Sequence, residues 1–161
     1  MSRRDISLTV NGKALSGAAE PRMTLLDFLR DVLGLSGTHM GCEHGVCGAC
    51  TVIHEGQPVR SCLMLAVQAE RQSIETIEGL AGEDGSLSVL QDAFRDAHGL
   101  QCGYCTPGML MSAEALLRKN TSPTDENIRE AIGGNICRCT GYTQIIDSIR
   151  LAAERLRETS S

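Results

Sequence analysis

Two kinds of hydrophobic spacing divide the chain. Leu8 and Val10 alternate with polar residues up to Asn11-Gly12, the pattern of a half-buried strand closed by a tight turn. A second short strand is predicted near Ala14-Leu15. From Thr24 the spacing becomes helical, with Leu25, Leu26, Phe28, Leu29, Val32 and Leu33 on one stripe. Thr24 is the expected N-cap with Asp27 at the third helical position, and Gly34 is the expected stop. Residues 36–50 are dense in Gly and Cys and predict a loop. Thr51-Val52-Ile53, a Glu55-Gly56-Gln57-Pro58 turn and Val59-Arg60-Ser61 predict a hairpin, and Ser73 to Ile77 a last strand.

Glu78 to Gly85, with Gly79, Gly82 and Gly85, reads as a linker. Beyond it every apolar stripe is helical. Leu87, Leu90, Ala93, Phe94 and Ala97 make one; Met109, Leu110, Ala113, Leu116 and Leu117 make a second. A third helix is expected from Thr124 after Pro123, burying Ile128, Ala131 and Ile132. Ile145, Ile146, Ile149, Ala152, Ala153 and Leu156 make a fourth. The stripes read as core, not as cofactor contacts. The predicted class is α+β: a β-grasp sheet domain over residues 1–78, then a four-helix bundle domain over residues 79–161.

Composition narrows the partners. A formal charge of −5, two Phe, two Tyr and no Trp argue against nucleic acid or an anionic membrane surface. No apolar run approaches the ~18 residues of a membrane span. Ser2-Arg3-Arg4-Asp5 carries the twin arginine of an export signal, but the alternating Ile6 to Gly12 replaces the apolar stretch such a signal needs. A cytoplasmic protein is expected, and there its eight cysteines would not be structural disulfides.

Those cysteines fall into two groups of four. The first is Cys42-x4-Cys47-x2-Cys50, followed after eleven more residues by Cys62. This spacing matches the plant-type 2Fe–2S arrangement. Gly41, Gly45 and Gly48 suit a tight loop that turns amide N–H groups toward sulfur. The second is Cys102-x2-Cys105 with Cys137-x1-Cys139. Each pair precedes an expected helix start, Thr106-Pro107-Gly108 and Thr140-Gly141-Tyr142, with the threonines as caps. Positive helix ends would then face the cluster from two sides. Structural zinc fits a Cys-x2-Cys pair, but x4/x2 is poor zinc spacing. His39, His44, His54 and His98 read as solvated or locally hydrogen-bonded.

Three blocks carry a family resemblance: Gly41-Cys42-Glu43-His44-Gly45-Val46-Cys47-Gly48-Ala49-Cys50-Thr51, Gln101-Cys102-Gly103-Tyr104-Cys105-Thr106-Pro107-Gly108-Met109 and Asn135-Ile136-Cys137-Arg138-Cys139-Thr140-Gly141-Tyr142. Together they resemble the small iron–sulfur subunit of the molybdenum hydroxylases, the xanthine oxidase family. The resemblance implies a ferredoxin-like N-terminal domain, a helical C-terminal domain and two 2Fe–2S clusters in this chain. It implies a large partner subunit with molybdenum–pterin, in the cytosine dinucleotide form, and a medium one with FAD, assembled as a dimer of heterotrimers. Electrons from hydroxylation of a substrate carbon would pass through the helical-domain cluster, then the ferredoxin-like cluster, to FAD. Gln101 would hydrogen-bond the pterin and Cys139 would lie nearest its amino end. Arg138 would meet a phosphate or partner carboxylate, or balance cluster charge. His39 stands where many relatives carry lysine. A free-standing ferredoxin shuttling between soluble partners is the alternative.

Overall fold

The opening alternation forms two long strands, β1 (Arg4–Val10) and β2 (Lys13–Ala19), paired antiparallel from Arg4 opposite Ala19 to Val10 opposite Lys13. Asn11 and Gly12 take φ of 51° and 76° between them, the left-handed pair that matches the twist of a two-residue hairpin. The computed structural model describes residues 2–159. Helix α1 (Leu25–Asp27) begins where expected: Thr24 Oγ1 accepts from the Asp27 N–H at 3.1 Å and donates to Asp27 Oδ2 at 2.7 Å. It then widens into a π-helical turn, Phe28–Val32. The strand beneath leaves room for it at Gly17, where a Cβ would lie 2.4 Å from Val32 Cγ1.

Strands β3 (Thr51–His54) and β4 (Gln57–Arg60) form the expected hairpin, with a shorter turn. Only Glu55 and Gly56 lie in it, both left-handed at 47° and 77°, so Gln57 and Pro58 belong to the strand. Strand β5 (Ser73–Glu75) runs parallel to β1 and antiparallel to β3, completing a mixed sheet in the order β2-β1-β5-β3-β4. It ends two residues earlier than the apolar pattern predicts. The Asn11 side chain accepts from the Thr76 N–H at 2.8 Å and donates to Thr76 Oγ1 at 2.9 Å, and the chain turns there into a short 3₁₀ segment, Ile77–Gly79. The linker is tied at its start, because Glu78 Oε1 accepts from the Gly37 N–H at 2.8 Å.

Four helices follow: α2 (Val89–Asp96), α3 (Thr106–Lys119), α4 (Asp125–Ile132) and α5 (Tyr142–Thr159). Ser88 with Gln91 and Thr124 with Asn127 form reciprocal capping boxes at α2 and α4, which satisfy first-turn N–H groups. Leu87 precedes the α2 cap and is 43% exposed, so it drops out of the stripe. Ala97 and Ala131 are only half-buried and stand outside the helical core, which the other stripe residues form around Leu90, Phe94, Met109, Ile128, Ile145 and Ile149. A separate sheet core holds Ile6, Leu8, Phe28, Leu29, Val52 and Ile74.

The two cores meet where Ile53 of β3 buries against Met111 and Ala115 of α3. Arg118 adds a bidentate pair to Glu75 at 2.8 and 2.7 Å, which holds the Glu75 carboxyl below its usual range. Both side chains are more than a third exposed, so the pair contributes about 1 kcal/mol or less. Apolar contact therefore outweighs this ion pair at the joint. Phe94→Ala should cost about 3–5 kcal/mol, whereas Leu87→Ala should stay within about 0.5 kcal/mol. Denaturant midpoints of the two variants check this, and equal losses would contradict the assignment of Leu87 to the surface.

Candidate metal centres

The loop between α1 and β3 gathers the first quartet. Cys42, Cys47 and Cys50 lie on it, and Cys62 comes from the short 3₁₀ turn Ser61–Leu63 that follows β4. The thiols interact in pairs: Cys42 with Cys47, and Cys50 with Cys62. The pairs also sense each other's charge, Cys47 that of Cys50 and Cys62 that of Cys42. The second quartet is built the same way. Cys102 pairs with Cys139, and Cys105 with Cys137.

Backbone N–H groups converge on these sulfurs. Cys42 receives those of His44, Cys47 and Val46, the Cys47 N–H lying 3.4 Å from its Sγ. Gly45 donates to Cys62, Ala49 to Cys47, Tyr104 to Cys102, and Gly141 to Cys137 at 3.5 Å. Of the three loop glycines, Gly45 donates to a sulfur itself. Gly41 and Gly48 give space: a Cβ on Gly41 would lie 2.8 Å from Cys47 Sγ, and one on Gly48, at φ +73°, 2.5 Å from the Gly134 carbonyl.

Amide donors hold the Cys42 thiol down to about 6. Burial, with the neighbouring thiol, pushes Cys62 up to about 11 and Cys105 up to about 12. Cys47 is raised, again mainly by burial, and Cys102 is lowered by the Tyr104 amide.

The residues fit a two-iron group on two observations. Four thiols meet as two pairs, which is two sulfurs for each of two irons. The Thr106 hydroxyl, next to Cys105, is buried without a hydrogen-bond partner in the protein, which leaves a donor for a group seated there.

The helix starts differ from expectation in detail. Helices α3 and α5 do begin at the second quartet, but the threonines do not cap them. Cys105 is the N-cap of α3 and Thr106 its first residue. At α5 the Gly141 carbonyl accepts from the Ile145 N–H at 2.9 Å, while Thr140, at φ +59°, donates to the Cys139 carbonyl. Thr140 therefore takes part in a turn, not a cap.

The other singled-out residues are local partners. Gln101 is exposed, and its Nε2 donates to the Cys139 carbonyl at 3.3 Å. His39 stacks on Tyr104 at 4.7 Å and shares a hydrogen bond with the Tyr104 carbonyl, while His44 bonds the Cys42 carbonyl and His54 the Gln72 side chain. Arg138 lines an apolar cavity of about 200 Å³ with Cys47, Cys102 and Cys105, between the two quartets. Sequence reasoning assigned no role to Ser112, Asn135 or Arg60, which join the two cysteine loops. The signals were a serine three residues after Met109, on the apolar side of the expected helix, and the place of Asn135 at the head of the third resembling block.

A mixed sheet beside helices, with two paired thiol quartets on amide-rich loops, defines a two-centre iron–sulfur protein. Family models for a 2Fe-2S iron-sulfur cluster binding domain and a [2Fe-2S] binding domain match residues 8–81 and 76–150. The chain is 58% identical over 153 residues to caffeine dehydrogenase subunit gamma of Pseudomonas sp. strain CBB1, covering 93% of this chain and 91% of that one. It is 53% identical over 155 residues to the nicotinate dehydrogenase small FeS subunit of Eubacterium barkeri, covering 96% and 98%. A chain of quinoline 2-oxidoreductase from Pseudomonas putida 86 superposes with a TM-score of 0.92 at 54% identity, covering 97% of each. The protein belongs to the small iron–sulfur subunits of the molybdenum hydroxylases, the xanthine oxidase family.

Thiol chemistry of the iron-free chain tests the electrostatics. After chelation, alkylation of Cys42 should rise through pH 6 and level off, while Cys62 and Cys105 should stay slow until strongly alkaline pH. Peptide mass spectrometry after timed labelling reads the order, and equal rates at pH 7.5 would contradict it.

Proposed function

We propose that Cys42, Cys47, Cys50 and Cys62 hold one 2Fe–2S cluster and Cys102, Cys105, Cys137 and Cys139 the other. The single observation that carries this is the pairing of thiols within each quartet. Each cluster, when bound, supplies reversible one-electron transfer at low potential. The chain's own residues hold the thiolates, direct amide N–H groups at them, and keep the two loops in register. The protein is the non-catalytic electron-relay subunit of an oxidoreductase complex, carrying electrons from a molybdenum–pterin centre toward FAD.

The sheet order β2-β1-β5-β3-β4 with α1 across it supports a plant-type ferredoxin-like β-grasp domain over residues 1–78. Helices α2 to α5 support a four-helix bundle over 79–161. Gln101 and Cys139 are the pterin-facing residues in this reading, and the bond from Gln101 Nε2 to the Cys139 carbonyl holds them side by side. The partners are a large subunit with molybdenum–pterin, as the cytosine dinucleotide, and a medium FAD subunit, in a dimer of heterotrimers. No helix among the described residues is long and apolar enough to cross a membrane. The relatives named for caffeine, nicotinate and quinoline support an N-heterocycle as the substrate of the assembled enzyme. Relatives that are themselves named as subunits favour this over a free-standing ferredoxin.

The purified complex should contain about four irons and about four acid-labile sulfides per copy of this chain, with two distinct paramagnetic signals on reduction. Cys47→Ala should remove one signal and about half the iron while the other signal stays. An iron-free native complex, or both signals intact in Cys47→Ala, would overturn the ligand grouping.

A further inference from the structure

Asn135 is 2% exposed and its amide reaches three segments of the fold. Nδ2 donates to the Gly48 carbonyl at 3.0 Å and to Thr51 Oγ1 at 3.3 Å. Oδ1 accepts from Ser112 Oγ of α3 at 2.9 Å. Gly48 stands between Cys47 and Cys50, and Asn135 itself is two residues before Cys137. The next residue continues the joint: the Ile136 N–H donates to the Cys47 carbonyl at 2.8 Å. Tyr142 Oη accepts from the Cys137 N–H at 2.8 Å and donates to the Asn135 carbonyl at 3.2 Å. Arg60 closes the far side, with its guanidinium on Thr51 Oγ1 and on the Gly134 carbonyl, both at 2.7 Å.

There is no slack at this point. A Cβ on Gly48 would lie 2.8 Å from Asn135 Nδ2, and one on Gly108, in the first turn of α3, 2.3 Å from the Gly48 carbonyl. A buried amide satisfied on both sides, in a low-dielectric site, specifies one arrangement of the segments it joins. An apolar side chain of the same size would fill the space without fixing the register of Gly48 against α3.

Resting on the two-cluster reading above, we propose that Asn135 is a positioning residue for electron transfer between the two quartets. It holds the Cys47 loop and the Cys137 loop at one separation, and it keeps the Ile136 N–H seated on the Cys47 carbonyl. That hydrogen bond completes a short route from Cys47 to Cys137, one hydrogen bond and otherwise covalent bonds. Transfer between the centres thus depends on a residue that binds neither.

The test uses the complete complex with its natural partner subunits, comparing wild type, Asn135→Ala and Ser112→Ala at equal iron per chain. Two quantities are read in the fully loaded fraction. One is the magnetic splitting between the two reduced clusters. The other is the rate at which an electron equilibrates between them after rapid reduction. Asn135→Ala should alter the splitting and slow equilibration about tenfold, the low end of what losing an outer-shell partner costs. Ser112→Ala, which removes one bond to the amide, should shift both the same way by less. Phe94→Val, a plain core truncation, should lower stability and leave both quantities unchanged. If Asn135→Ala loads poorly, Ser112→Ala decides alone. Splitting and rate at wild-type values in the loaded variants would overturn the role of Asn135, while a normally loaded wild type leaves the cluster assignment standing.

Discussion

Gathering four thiolates into a small volume is the constraint around which the chain is arranged. Like charges at that spacing repel, and burial raises the cost of ionising each one. The fold answers with backbone N–H groups. Amides of His44, Val46 and Cys47 turn toward one sulfur and that of Gly45 toward another. N–H groups committed to sulfur are unavailable to a helix or sheet ladder, so residues 36–50 stay irregular. The regular elements hold that irregularity in place. Helix α1 fixes its start, β3 its end, and α3 seals it from the side.

The second quartet meets the same demand with different means. Its loops are shorter, and two helices start from them, so the unpaired first-turn N–H groups of α3 and α5 lie close to the sulfurs. The Gly141 N–H reaches Cys137 in this way. One centre thus rests on a long wrapped loop and the other on helix ends. That difference in surroundings gives the two centres different electrostatic environments although their donor sets are alike.

Much of this was legible in the amino-acid order, for reasons that can be named. Strands β1 and β2 and helices α2 to α5 have one face against a core, so burial writes their period into the sequence. The two cysteine groups were legible because ligand spacing is local. What could not be read was set by tertiary contact. The end of β5 depends on the Asn11 side chain, 65 residues from Thr76. The failed threonine caps depend on how tightly the chain turns at Cys105 and Gly141. The π-turn after Asp27 packs at Gly17 on a neighbouring strand. Asn135 looks like any loop amide until the loop around Gly48 is brought against it.

Pro58 has a consequence for assembly. The Ser61 N–H bonds the Cys50 carbonyl at 3.3 Å, so alternate residues Val59 and Gln57 turn their backbone toward β3. Pro58, opposite Ile53, then presents its nitrogen to the open side of β4, one of the two outermost strands. That side lacks one donor and carries a ring where an incoming chain would need to lie flat. Another polypeptide cannot extend the sheet there by simple main-chain addition. A neighbour that meets this edge must do so through side chains, so main-chain pairing of β4 with β4 of a second copy is blocked.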